Sequence, residues 1–262
     1  MELSQLTNGV TIVGCVVYAV LIAFCVRKLS FRRSMAPVYF TFALVSNLMS
    51  GFYWLAYNLL RGSARMPFAA NEFGEIAAFL LMASTLNAVF RGRFAAARLE
   101  SGCTALFAAA SCGLWIAWSG EWLEDILTGL SFGYYLCVCV RSLKQTAALS
   151  RVEWVLLGVA AATLLVLQGL TFVLPAPWKS IADGAAYAVM FLTLAYGIWR
   201  SGRALLQRNN APAPLALAAF CMAWTLSTLY MSESLFYRAA QAINIVCPAM
   251  TMIALHREEA AV

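Results

Sequence analysis

Histidine is nearly absent from this sequence: His256, close to the C-terminal end, is the only one in 262 residues. A single histidine excludes bis-histidine haem ligation within the chain. Histidine-based metal or serine–histidine chemistry inside a membrane also has no residues to use. No Walker loop, GxSxG elbow or HExxH pair occurs. Asp125 and Asp183, the latter followed by Gly184, could be imagined as an intramembrane aspartyl pair. Both sit at the edge of apolar runs and lack the local motifs of such proteases. The reading is of a chain that is not an enzyme and carries no metal or cofactor.

Charge is the second scarcity. Only 11% of residues are Asp, Glu, Lys or Arg, while 63% are hydrophobic. A soluble domain carries roughly 25% charged residues, so the solvent for this chain is largely lipid. Apolar runs of spanning length, about 20 residues, recur along residues 1–262 and leave no room for a separate soluble domain. The formal charge of +6 does not indicate a nucleic-acid partner, because the bases gather at the ends of the apolar runs, as membrane topology requires. The eight cysteines are read as small hydrophobes and not as disulfides. Cys15, Cys25, Cys112, Cys137, Cys139, Cys221 and Cys247 lie inside apolar runs, and Cys103 lies at the start of one. Cys137 and Cys139 are two residues apart, which points them to different sides of a helix and away from a shared metal.

What is present is the pattern of an all-α polytopic membrane protein. Apolar runs cover about 9–26, 37–60, 73–90, 102–119, 123–140, 152–174, 181–199, 212–230 and 235–255. That makes nine transmembrane helices, or eight if one segment is re-entrant. Residues 212–255 are too many for one crossing, and Ser232, Glu233 and Ser234 mark a turn in their middle. Unlike a signal peptide, the first run is followed and not preceded by its bases, Arg27, Lys28, Arg32 and Arg33. It reads as an uncleaved anchor with its N-terminus outside.

Sorting the charges extends this to an N-out, C-in topology: one N-terminal helix, then four helical hairpins. Fourteen of the 18 bases fall in cytoplasmic segments, leaving Arg61, Arg65, Lys179 and Arg238 outside, and eight of the 12 acids fall outside. The charge bias and the lack of glycosylation sequons suit a bacterial inner (plasma) membrane. The second helix of each hairpin begins with acid: Glu72 and Glu75, Glu124 and Asp125, Asp183, then Glu233. Either an old hairpin duplication or membrane insertion alone produces that polarity.

Polar residues within the runs are the better functional lead, because lipid-facing polar groups are costly and turn inward. On the second run, Ser46, Ser50, Tyr53 and Tyr57 recur at helical spacing, flanked by Asn47, Gly51, Trp54 and Asn58. A ligand cavity wants such a polar–aromatic face, although interhelical packing and an outer aromatic belt produce the same pattern. Tyr237, Gln241, Asn244, Pro248 and Thr251 repeat it on the last run. There Pro248 has no N–H for the Asn244 carbonyl, leaving a coordination point or an ordinary kink. Glu75 lies about a turn inside the membrane, within reach of Arg61, Arg65 or Arg238 as partners. Asp125 and Asp183 sit at similar depth, with Thr128 and Tyr187 on their respective faces; helix-dipole complementation is the alternative role for all three acids. Gly129 and Gly133 form a GxxxG read as a close helix contact, and Gln168 a residue that bonds a neighbour.

These features fit three functions. The first is a small-solute or cation pathway, transporter- or channel-like, whose polar–aromatic cavity opens to an acidic outer face. The second is a ligand-sensing or receptor-like module that signals through a separate partner, since the loops and the C-terminal tail are short. The third is a structural subunit of a membrane complex, its polar stripes serving as interfaces. Expected partners are the lipid bilayer, a small-molecule or cation ligand, and a second copy or another membrane subunit. The cavity reading requires Tyr53, Glu75 and Asn244 to face one common space.

Overall fold

Apolar runs with no water to satisfy their backbone groups fold as helices, whose hydrogen bonds close within the segment. The computed structural model describes residues 3–29, 34–61, 70–92, 94, 97–207, 212–227 and 235–261. Among them are ten helices and no strand: α1 (Leu3–Lys28), α2 (Ala36–Arg61), α3 (Ala70–Val89), α4 (Arg98–Ser119), α5 (Trp122–Gln145), α6 (Arg151–Leu170), α7 (Ala176–Leu206), α8 (Pro212–Leu226), α9 (Leu235–Asn244) and α10 (Val246–Ala261). Seven of these, α1 to α7, together with the stretch Leu235–Glu258 spanning α9 and α10, are long and apolar enough to cross a membrane. Eight such stretches are the architecture of an integral membrane protein.

Eight is the alternative count, and the run expected at 212–230 is described only as far as residue 227. Residues 212–226 form a helix of 15 residues, which at 1.5 Å per residue reaches about 22 Å, short of the roughly 30 Å hydrocarbon core. Two prolines at its start, Pro212 and Pro214, fix where it begins. The expected turn at Ser232–Ser234 lies outside the described residues, as do Arg32, Arg33 and Arg65. The last span is not one helix either: a turn at Ile245 separates α9 from α10.

The paired helices α2 with α3, α4 with α5, and α6 with α7 pack on each other, and α8 packs on both α10 and α9. Small residues set how closely they approach. A Cβ on Gly133 would lie 3.1 Å from the Ala108 methyl, and the other half of the same GxxxG, Gly129, meets Cys112. The pair therefore seats α5 against an i, i+4 pair on α4, the close contact expected of such spacing. Similarly, a Cβ on Gly74 would sit 3.0 Å from Ser50 Cβ and 3.1 Å from the Ser46 carbonyl oxygen, which brings α3 onto α2.

Helix α8 is buried nearly all round, from Ala213 to Thr225, as a helix without a polar face must be. It touches α3, α5, α7, α9 and α10. Hydrogen bonds tie it in at both ends: Ser201 Oγ donates to the Pro214 carbonyl at 2.9 Å, and Gln168 Nε2 to the Ser227 carbonyl at 3.3 Å. Tyr135 OH donates to the Ala219 carbonyl midway, at 2.8 Å. Gln168 thus bonds a neighbour, as its isolation in the sixth run suggested.

Side-chain contacts sort the charges onto two ends of the bundle. At one end Lys144 pairs with Glu100, Arg200 Nε lies 3.2 Å from Glu153 Oε1, and Arg257 donates to the Leu205 carbonyl. Glu153 also closes a capping box with Ser150 at the start of α6. The other end holds Glu72, Glu121, Asp125 and Arg238, around the mouth of a cavity.

Candidate functional site

The cavity has a volume of about 700 Å³ and is walled by α1, α2, α3, α4, α5, α8, α9 and Pro248 at the start of α10. Along α3 its lining runs from Asn71 to Met82, about 16 Å of helix rise, roughly half the hydrocarbon thickness. Beyond it the core closes. Leu21, Leu86, Leu143 and Leu255, each further along its helix than the last lining residue, and Phe40 and Leu44, which precede the first lining residue of α2, are all 5% exposed or less. Among the described residues the space is therefore a vestibule that reaches the acidic end and is closed by packed core towards the basic end.

The polar–aromatic face read on the second run splits in two. Asn47, Ser50, Gly51 and Trp54 line the cavity. Ser46 instead presents its backbone to Gly74. Tyr53, 37% exposed, and Tyr57 stack on each other with ring centroids 6.5 Å apart and contribute nothing to the lining. At 100° per residue, Ser46, Tyr53 and Tyr57 sit on a flank well away from the stripe through Asn47, Gly51 and Trp54. Of the three residues required to share one space, Glu75 and Asn244 do so and Tyr53 does not.

Glu75 accepts a hydrogen bond from Ser50 Oγ at 3.4 Å. It lies within electrostatic reach of Tyr18, Tyr237 and Arg238. Of its expected basic partners Arg238 is the one near it among the described residues, and the Arg61 side chain and Arg65 lie outside them. Arg238 is itself well held. Its Nη1 donates to Gln241 Oε1 at 2.9 Å, and its guanidinium lies 5.6 Å from the Trp54 ring centre and 5.7 Å from that of Tyr237. Glu72 interacts electrostatically with Glu75, Glu124 and Asp125, so acids step down from the rim to Glu75.

Asp125 lines the same space but is engaged locally. Ser119 Oγ donates to its carboxylate, the Glu121 N–H donates to Ser119 Oγ at 2.8 Å, and Cys112 Sγ donates to the Asp125 carbonyl at 3.3 Å. This clasp follows the left-handed Gly120 (φ 75°) that ends α4 and lets the chain turn tightly into α5. Asp183 stands apart. It lies on α7, which lines no part of the cavity, and its electrostatic neighbour is Lys179, one helical turn earlier. Its depth, similar to that of Asp125, suggested a place at the same space, but its helix packs on α6 and α8 and lines none of it.

On the last span, Gln241, Asn244 and Pro248 all line the cavity. Pro248 cannot donate to the Asn244 carbonyl, and the helix breaks one residue later, at Ile245. Asn244 Oδ1 is shielded from solvent and accepts no hydrogen bond among the described residues. Lining residues not anticipated include Thr11, Cys15 and Tyr18 on α1, Trp115 and Trp118 on α4, and Tyr135. Thr11, Cys15 and Tyr18 follow the 4, 3 spacing of a helical stripe. That signal was present in what otherwise reads as an anchor.

No family model matches the chain, and no curated protein or solved structure matches it either. The class therefore rests on the fold itself: a helical integral membrane protein with a vestibule entering half its depth.

Proposed function

We propose that the chain forms a pathway for a small solute or cation, entered through the vestibule. The observation that supports this most is the shape and lining of one space: open at an acidic rim, walled by aromatic rings, and closed beyond Tyr18, Met82 and Tyr135 by packed core. A binding site at mid-depth beside a broken helix is how secondary transporters hold a solute before exposing it to the other side. In this reading the vestibule opens to the outside of a bacterial inner membrane, with the N-terminus out and the C-terminus in the cytoplasm. The sorting of bases to the opposite end supports that orientation. Flux through purified protein in liposomes tests the proposal: uptake that depends on Glu75 supports it.

The closed inner half equally suits the ligand-sensing reading. A ligand that binds the vestibule and never crosses, with co-purification of a signalling partner, would replace the pathway by a receptor. The structural-subunit reading treats the same lining as an interface, and a stable monomer in detergent counts against it.

A further inference from the structure

Resting on the vestibule as the entry site, we infer that its ligand is a protonated organic amine with an apolar, ring-sized body, seated with its nitrogen at Glu75. Among the described residues, four carboxyl side chains, Glu72, Glu75, Glu121 and Asp125, line the space against one guanidinium, that of Arg238, so this lining favours a cation. Among the described residues, however, no three His, Cys, Asp or Glu side chains converge as metal ligands. The acids are strung along the wall, which suits a charge carried on an extended body better than a bare ion needing a compact cage of oxygens.

The rest of the lining has the same chemistry. Its ring faces already accept a cation, since the Arg238 guanidinium rests over Trp54 and Tyr237 at 5.6 and 5.7 Å, the arrangement by which aromatic walls recognise ammonium groups. A volume of about 700 Å³ falls within the range of small-molecule sites, roughly 300–1,000 Å³, and far exceeds what an inorganic cation fills.

The test is binding to purified protein in nanodiscs, read by calorimetry, beside flux in liposomes. The probes are 2-phenylethylamine, its uncharged isostere 2-phenylethanol, and sodium, potassium and magnesium chlorides. Binding of the amine, at least about tenfold tighter than the alcohol and weakened about tenfold or more in Glu75→Gln, is expected for a charge-assisted contact. Glu75→Asp, which keeps the charge, should retain most of the affinity, and melting curves of both variants without ligand separate lost binding from lost fold. Equal binding of amine and alcohol, unchanged affinity in a folded Glu75→Gln, or saturation by the metal chlorides alone would overturn the inference. Amine binding without flux removes the pathway and keeps the amine site; flux of another solute without amine binding does the reverse.

Discussion

A methyl group placed on Gly129 of α5 would lie 2.6 Å from Cys112 Sγ and 2.8 Å from its Cβ on α4. Only a hydrogen fits between these helices. Gly113, on the same α4 helix, has nothing within 4 Å of the corresponding position. Gly129→Ala should therefore lower the melting temperature of the purified protein, by the equivalent of about 1–3 kcal/mol for overpacking. Gly113→Ala should leave it unchanged or raise it, since alanine is favoured over glycine in a helix by about 1 kcal/mol. Combining Gly129→Ala with Cys112→Gly should restore much of the loss. Equal melting of the two single variants would contradict the close approach.

The acids differ in what they do, and flux should separate them. Glu75→Gln should reduce transport about ten- to hundredfold, the worth of a hydrogen-bonded charge. Asp183→Asn should leave transport near wild type, because α7 contributes nothing to the vestibule. Asp125→Asn should act mainly on melting temperature, through the clasp with Ser119. A Glu75→Gln variant that transports normally would remove the acid from the pathway.

Thiol labelling reads the vestibule directly. Cys15 lines it, whereas Cys25, Cys139, Cys221 and Cys247 are fully buried. A small water-soluble, cationic thiol reagent should modify Cys15 in the native protein and spare those four, as located by mass spectrometry. An excess of 2-phenylethylamine should slow the reaction. Modification of Cys139 or Cys247 before Cys15 would mean that water reaches the packed half of the bundle.

Tyr135→Phe deletes the phenol that donates to the Ala219 carbonyl at 2.8 Å. Interhelical hydrogen bonds in membranes average about 0.6 kcal/mol, with a ceiling near 1.7, so a small drop in stability is expected. Unfolding in denaturing detergent measures it. A drop well beyond that ceiling would mean the tyrosine does more than tie α5 to α8.

The spans were legible because lipid leaves the backbone one solution, and charge scarcity together with run length reports it directly. The stretch from Pro212 was harder. Its hydropathy matches a span, and its described helix ends at Leu226, short of a spanning length. Nothing in composition distinguishes a helix wrapped by five neighbours from one bathed in lipid. At the vestibule, periodicity placed Asn47, Ser50, Trp54, Glu75, Asp125, Gln241, Asn244 and Pro248 on cavity-facing stripes. It could not separate Tyr53 and Tyr57 from that stripe, because Ser50 lies between the two rows and joins them into one broad polar face. Asp183 was chosen for its depth, similar to that of Asp125, and which helices surround a common space depends on long-range packing that no local pattern encodes. Trp115 and Tyr135 were missed for a related reason: buried aromatic residues look like ordinary core until a void appears beside them.

Helix α8 joins the early helices α3 and α5 to the late ones α7 and α10, yet its residues leave the ribosome only after seven spans have done so. Until then α3 and α5 present an uncovered apolar flank where α8 will lie. The contacts that join the early helices to the late ones therefore come last in chain order, and a chain stopped before residue 226 would lack them.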